Sequence, residues 1–158
     1  MANDRKELVI TRTFDAPRAL VWKAWTDPTI LKKWWGPRGV TNPTCEWDAR
    51  PQGKINIVML AGKELGNFEG QEWPMEGTFN EVVPETRLVF RSNALDDVKN
   101  IMIETEVTVD FEELGNKTKM KLHILVIRAG PKSEFALQGM EIGWNQSIDK
   151  LVEQLQGK

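Results

Sequence analysis

The chain has 158 residues, of which 41% are hydrophobic and 28% are charged, and its formal net charge at pH 7 is -2. This composition is typical of one ordinary globular domain and excludes a fibrous or disordered protein. Because Lys and Arg are spread along the chain without forming a basic stripe, the charge pattern argues against nucleic-acid binding.

The N-terminal sequence and the single cysteine indicate a cytoplasmic protein. Residues 1–10 carry several charged side chains and lack the apolar region of a secretory signal. No apolar stretch reaches the roughly 20 residues that a membrane-spanning helix needs. Since Cys45 is the only cysteine, it can form neither an intrachain disulfide nor a CxxC redox pair.

The first 37 residues predict one strand followed by two short helices. In residues 6–14, Leu8 and Ile10 alternate with polar neighbours, as in a half-buried strand. Pro17 is typical of a first helical turn and predicts a helix over residues 17–25. Asp27 and the proline after it repeat this start signal, and the second helix is expected to end at the Gly-Pro pair of residues 36–37.

Residues 40–126 change to a period of two and predict an antiparallel sheet. The clearest alternation of apolar and polar residues covers residues 101–111. A Leu-Gly-Asn turn at residues 114–116 separates it from a strand in which Leu122 and Ile124 face inward and His123 faces outward. Because no helical pattern intervenes, successive strands are expected to pair with each other.

A long helix is predicted over residues 133–155. At about 100° per residue, its apolar side chains fall on one stripe with Glu141 at the edge. We expect this stripe to lie across the concave apolar face of the sheet. Its members are Leu137, Met140, Trp144, Ile148, Leu151 and Leu155.

Several motifs make this layout specific. FDAPRALVWKAWTDP spans residues 14–28, WWGPRG spans residues 34–39 and GMEIGWNQSIDKLVEQL spans residues 139–155, with MEGTF at 75–79 and ETRLVF at 85–90 between them. In these motifs, and over nearly the whole chain, the sequence resembles the activator-of-Hsp90-ATPase-homologue-like family of the START-like (SRPBCC) superfamily.

The resemblance implies an α+β helix-grip fold, also called START/Bet v-like, in a single domain over residues 1–158. This fold has a curved antiparallel sheet, two short helices after the first strand, and a long C-terminal helix packed across the concave face. Two positions depart from the family pattern: Gln52 replaces the first of the two glycines usual after Arg-Pro, and Ala49 stands at the core-facing site of a typical small aliphatic residue. Trp47 lies two positions before Ala49 on the same strand face. These departures leave the fold intact and put the identity of any ligand in doubt.

Aromatic and sulfur-containing residues are expected to face the gap between the sheet and the long helix. Apolar walls with adaptable methionines are typical of ligand pockets, and the same side chains would also make a filled core. The resemblance implies an enclosed cavity. The candidate cavity-lining residues are Trp35, Trp47, Met59, Met75, Phe79, Phe90, Thr105, Met140, Glu141 and Trp144.

Three of the candidate positions leave alternatives open. Thr105 interrupts an inward apolar row, so its hydroxyl is expected to bond locally or to a ligand, since an unpaired buried hydroxyl costs about 1 to 3 kcal/mol. Glu141 reaches either the cavity mouth or solvent. Trp34 and Trp35 point about 100° apart on the predicted helix, so one is expected in the core and the other at a pocket lid or a partner surface.

Neither catalytic residues nor cofactor-binding residues are predicted. His123 is the only histidine and is expected on the outer face, so it faces no pocket in which to act as an acid or base. A second His or Cys that could complete a metal site or a nucleophilic dyad is missing. No GxxxxGK[ST] or GxGxxG motif suggests a nucleotide, and GPRG at residues 36–39 is expected to be a turn.

Three hypotheses of function follow. The first is a binding protein that holds a small apolar or aromatic ligand in the cavity, as a monomer or weak homodimer. The second is an enzyme of the cyclase or dehydratase kind, for which Thr105, Glu141 and Asp48 are the only proton-transfer candidates. The third, which the family name suggests, is interaction with a heat-shock chaperone; the additional N-terminal domain of two-domain relatives is not expected here, which makes this a minor alternative.

Overall fold

The computed structural model describes residues 7–96, 98–130 and 133–156, with residues 134–137 described by their backbone alone. The strands are β1 (Glu7–Phe14), β2 (Val40–Trp47), β3 (Lys54–Ala61), β4 (Glu72–Val83), β5 (Arg87–Leu95), β6 (Ile101–Leu114) and β7 (Lys117–Ala129). They form one sheet in the order β1-β7-β6-β5-β4-β3-β2. Every neighbouring pair is antiparallel, which confirms the predicted sheet.

Two short helices, α1 (Arg18–Thr26) and α2 (Pro28–Trp34), connect β1 to β2 as predicted. Asp27 caps α2, because its Oδ1 accepts hydrogen bonds from the backbone N–H of Thr29 at 2.9 Å and from the Thr29 hydroxyl at 2.7 Å. These bonds favour the ionised carboxylate and hold the pKa of Asp27 below its usual value. Pro28 occupies the first turn of α2, where its missing N–H costs nothing.

The C-terminal helix α3 (Glu134–Leu155) is anchored over the concave face by its second half. Ile148 and Leu151 are fully buried in the core cluster, and Met140 and Trp144 pack against that cluster from the first half. The predicted apolar stripe therefore faces the sheet, while the side chain of Leu137 lies outside the described residues. Among the helices in the described ranges, none combines the length and apolar character that crossing a membrane requires.

An aromatic cluster fills one end of the concave face. The Trp47 ring meets Phe79 at a centroid distance of 5.0 Å and Phe90 at 5.1 Å, both edge to face. The Trp47 indole N–H donates to the backbone carbonyl of Trp25 at 2.7 Å, which joins the sheet to α1. These three rings are at most 3% exposed, so this end of the grip is a packed core.

Candidate functional site

A cavity of about 450 Å³ lies between the first half of α3 and the inner face of the sheet. Met140 and Trp144 of α3 form one wall, while Met59 of β3, Met75 of β4 and Ala94 of β5 form the opposite one. The volume falls within the range of about 300 to 1,000 Å³ that small-molecule sites occupy. The wall is mostly apolar, and its methionines can adapt to an irregular ligand.

The cavity opens where the side chains on the sheet become small. Along β4 and β5 the successive inward pairs are Phe79 with Phe90, Gly77 with Ser92, and Met75 with Ala94. The two phenylalanine rings fill their part of the concave face. Beyond them, Ser92, Met75 and Ala94 present a hydroxymethyl group, a flexible thioether and a methyl group to the cavity, so they leave space under α3.

Trp35 stands at the boundary between the packed core and the cavity. It follows the last residue of α2 and has extended backbone angles, with φ −67° and ψ 134°. Its ring packs on Trp47 at 5.2 Å and meets Trp144 edge to face at 5.2 Å. The ring therefore closes the inner end of the cavity and contributes to its wall.

Trp34 and Trp35 were expected to divide between the core and either a pocket lid or a partner surface; both rings are buried, and Trp35 lies at the cavity. Trp34 is fully buried, and its indole N–H donates to the Ala24 carbonyl at 3.0 Å; Trp35 is 5% exposed. The expected angle of about 100° applies to two residues within one helix. Because α2 ends at Trp34, the extended backbone turns the Trp35 ring toward the sheet instead of toward a partner surface.

The sheet carries one polar pair into the cavity. Ser92 of β5 and Thr105 of β6 lie directly opposite each other, and their hydroxyl oxygens are 2.9 Å apart. Each residue is 8% exposed, and both line the cavity. Thr105 thus finds its local partner on the neighbouring strand, one of the two alternatives left open by the sequence.

The WWGPRG turn forms one rim of the cavity and is held by α3. Ser147 Oγ donates to the Trp34 carbonyl at 2.8 Å and accepts from the Gly36 N–H at 3.1 Å. Lys150 Nζ donates to the Pro37 carbonyl at 3.2 Å, and burial lowers the pKa of this lysine. The rim made by Gly36 and Pro37 is therefore fixed to the anchored half of α3.

The predicted site residues fall in three places. Those on the cavity wall are Trp35, Met59, Met75, Thr105, Met140 and Trp144. Trp47, Phe79 and Phe90 lie in the aromatic core instead, because their rings pack against one another and leave no space between them. Glu141 is exposed on the outer side of α3 and is absent from the wall.

Other residues of the wall were not predicted. Leu65 and Phe68 come from a 3-10 segment, Lys63–Phe68, that lies between β3 and β4. These two apolar residues lie within the glycine-containing stretch 62–70. They were the sequence signal that this connection packs over an apolar surface. Ser92 lies two residues after Phe90 on β5 and therefore faces the same side of the sheet. The period-two alternation that predicted an inward-facing Thr105 would also have predicted an inward-facing Ser92.

The single histidine and the single cysteine lie far apart in the sheet. His123 is on β7, where its Nε2 lies 2.7 Å from a carboxylate oxygen of Glu7 on the outer face. Cys45 is on β2 at the opposite edge, and burial raises the pKa of its thiol. A Cys-His dyad is therefore impossible, and the described residues contain no group of His, Cys, Asp and Glu that could hold a metal ion.

Replacing His123 with alanine is expected to leave binding in the cavity unchanged and to lower the free energy of unfolding by less than about 1 kcal/mol, as is usual for a surface side chain. The reason is that its imidazole pairs with Glu7 on the outer face. Titration with an apolar fluorescent probe and chemical denaturation check both parts. Loss of probe binding in a folded variant would contradict this placement.

The element order and the cavity under the C-terminal helix define the protein as a START-like helix-grip domain. More narrowly, the chain belongs to the family described as Activator of Hsp90 ATPase homolog 1-like protein, whose model matches residues 15–156. This match confirms the resemblance seen in the tryptophan-bearing motifs. Among curated proteins, no sequence matches significantly.

Solved structures are similar over almost the entire chain. A protein from Nitrosomonas europaea is 26% identical, with 96% of this chain and 94% of that one covered and a TM-score of 0.76. The AHSA1 protein from Silicibacter pomeroyi is 26% identical, with 95% and 97% covered and a TM-score of 0.78. A protein from Arthrobacter aurescens is 24% identical, with 100% and 94% covered and a TM-score of 0.80, which supports the fold alone.

Proposed function

We propose that the protein binds a small hydrophobic or aromatic molecule in the cavity between the sheet and α3. The observation that carries this proposal is the wall itself, in which Trp35, Trp73 and Trp144 surround a space of about 450 Å³ together with flexible methionines. Removing apolar ligand surface from water is favourable by about 25 cal/mol per Å², so such a wall favours apolar ligands. This proposal makes Trp35, Met59, Met75, Thr105, Met140 and Trp144 ligand contacts.

The other two hypotheses have less support. Of the three proton-transfer candidates of the enzyme hypothesis, only Thr105 lies in the cavity wall, and its hydroxyl is hydrogen-bonded to Ser92. Asp48 pairs with Arg50 at 2.8 Å, away from the cavity, and Glu141 is exposed. Interaction with a heat-shock chaperone rests on the family name alone. The cytoplasmic location remains a prediction, as does the oligomeric state of a monomer or weak homodimer.

Filling the cavity tests the proposal. The Ala94→Leu variant places a larger side chain in the wall, so it is expected to weaken binding of the neutral probe N-phenyl-1-naphthylamine about tenfold, equivalent to about 1.4 kcal/mol. The melting temperature should hold or rise, because the new side chain fills a void. Fluorescence titration and thermal denaturation measure the two effects.

The matched control is Ala19→Leu, which adds the same atoms at an exposed position of α1. This variant is expected to bind the probe like the wild type. Equal probe affinity in the wild type and in both variants would place the probe elsewhere and contradict the proposal, as would a wild type that binds no probe.

A further inference from the structure

Among the described residues, the cavity wall offers no counter-charge for an ionised ligand. Of the 21 described residues that line it, none is Asp, Glu, Lys, Arg or His. Moving an unpaired carboxylate, phosphate or ammonium group from water into such a space is strongly unfavourable. The buried part of a ligand must therefore be neutral.

Ser92 and Thr105 form the polar floor of this apolar space. A pair of hydroxyls carries two hydrogens and four acceptor lone pairs, of which their mutual hydrogen bond uses one hydrogen and one lone pair. In the described part of the chain, neither hydroxyl has a second partner. One O–H donor and several acceptor positions are thus unused at two side chains that are each 8% exposed.

Small or flexible side chains surround this pair on the cavity wall. Gly77, the cross-strand partner of Ser92 on β4, is absent from that wall. On the same face, the flanking residues are the methyl group of Ala94 and the thioether of Met75. A ligand atom can therefore approach the hydroxyl pair from the cavity.

The polar side chains of the rim differ from those of the floor. Ser147 uses its hydroxyl both as donor and as acceptor to hold the WWGPRG turn. Gln146 accepts the backbone N–H of Arg38 at 2.9 Å in the same turn. The rim therefore holds the protein's own backbone, whereas the floor keeps hydrogen-bonding capacity for a ligand.

From these observations we infer that the ligand class is neutral, largely apolar molecules with one oxygen, a carbonyl or hydroxyl, at the buried end, bound by the Ser92–Thr105 pair. The inference rests on the proposed function and adds the chemistry that selects among apolar ligands. Without a polar partner, a buried carbonyl would make a ligand bind more weakly than its hydrocarbon counterpart. With the hydroxyl pair, the carbonyl compound should bind more tightly.

Three probes of similar size and shape test this inference by calorimetric or fluorescence titration. They are 2-ethylnaphthalene, which has no polar atom, 2-acetylnaphthalene, which has one neutral carbonyl, and 2-naphthoate, which is ionised at pH 7. The wild type is expected to bind the ketone about fivefold more tightly than the hydrocarbon, and the carboxylate at least about tenfold more weakly than the ketone.

Thr105→Val and Ser92→Ala remove one hydroxyl each. Both variants are expected to lose the preference for the ketone while still binding the hydrocarbon, which also demonstrates that they are folded. A wild type that prefers the hydrocarbon to the ketone, or binds the carboxylate as tightly as the ketone, would overturn the inference and leave the proposed function standing. Failure of the wild type to bind any of the three probes would overturn both.

Discussion

Replacing Trp34 with alanine is expected to lower the free energy of unfolding by about 4 kcal/mol, within the range for deletion of a fully buried large aromatic side chain. The ring is fully buried, lies 4.8 Å from the Trp25 ring and 6.1 Å from the Trp35 ring, and donates to the Ala24 carbonyl. Its removal leaves a large cavity and an unpaired buried acceptor where the two short helices meet. Urea denaturation followed by circular dichroism measures the loss.

Trp34→Phe separates the two contributions. Phenylalanine keeps most of the ring contacts and removes the bond to the Ala24 carbonyl, so we expect a smaller loss of about 1 to 3 kcal/mol. A cost below about 1 kcal/mol for Trp34→Ala would mean that the ring does not support the core, and would contradict the arrangement of α1, α2 and α3 described above.

The second large effect is expected at Gly77, where alanine should lower the free energy of unfolding by about 3 kcal/mol. An added Cβ would fall on the backbone carbonyl oxygen of Arg91 and lie 3.0 Å from the Ser92 Cα. Both are backbone atoms of the paired strand β5, so they cannot rotate away. The pairing of β4 with β5 would have to distort, and the cavity floor with it.

Gly139 provides the contrasting control. It lies inside α3, and an added Cβ would meet no atom of the described residues within 4 Å. Gly139→Ala is therefore expected to raise stability by about 0.5 to 1 kcal/mol through helix propensity alone. Denaturation of the two variants side by side should show changes of opposite sign in the free energy of unfolding. An unchanged free energy of unfolding in Gly77→Ala would show that the strands can separate without cost, and would contradict this prediction.

Much of this fold could be predicted because local and long-range signals agree. Period-two alternation placed the inward faces of β6 and β7 correctly, since Val107, Val109, Leu122 and Ile124 are all at most 1% exposed. Proline at the first turn and Asp27 at the cap located both short helices. The apolar stripe of α3 indicated that this helix lies across the sheet, and the family resemblance implied the same position.

The backbone conformation at Gln52 explains why the family pattern usually has glycine at this position. This residue has a φ of 67°, in the left-handed region that glycine adopts without strain. The glycine usual at this position in the family would fit there at no steric cost, and the sequence alone could not show that the turn keeps this conformation when a side chain is present.

The extent of the cavity could not be predicted, because strand parity gives the face of a residue but not its neighbours above the sheet. Phe90 and Ala94 share one face of β5, yet the first is packed against Trp47 and the second lines the cavity. The difference depends on where α3 leaves the sheet and where the 3-10 segment covers it. The direction of the Trp35 ring could not be predicted either, since it depends on the residue at which α2 ends.

The most direct test of the central claim is native mass spectrometry of the protein purified from its own host, followed by extraction of any retained molecule. The account predicts a mass increment of one small molecule that is neutral, mainly apolar and oxygen-containing, and that the Ala94→Leu variant retains in smaller amount. The bare polypeptide mass, together with a wild type that takes up no N-phenyl-1-naphthylamine, would contradict a ligand-binding cavity.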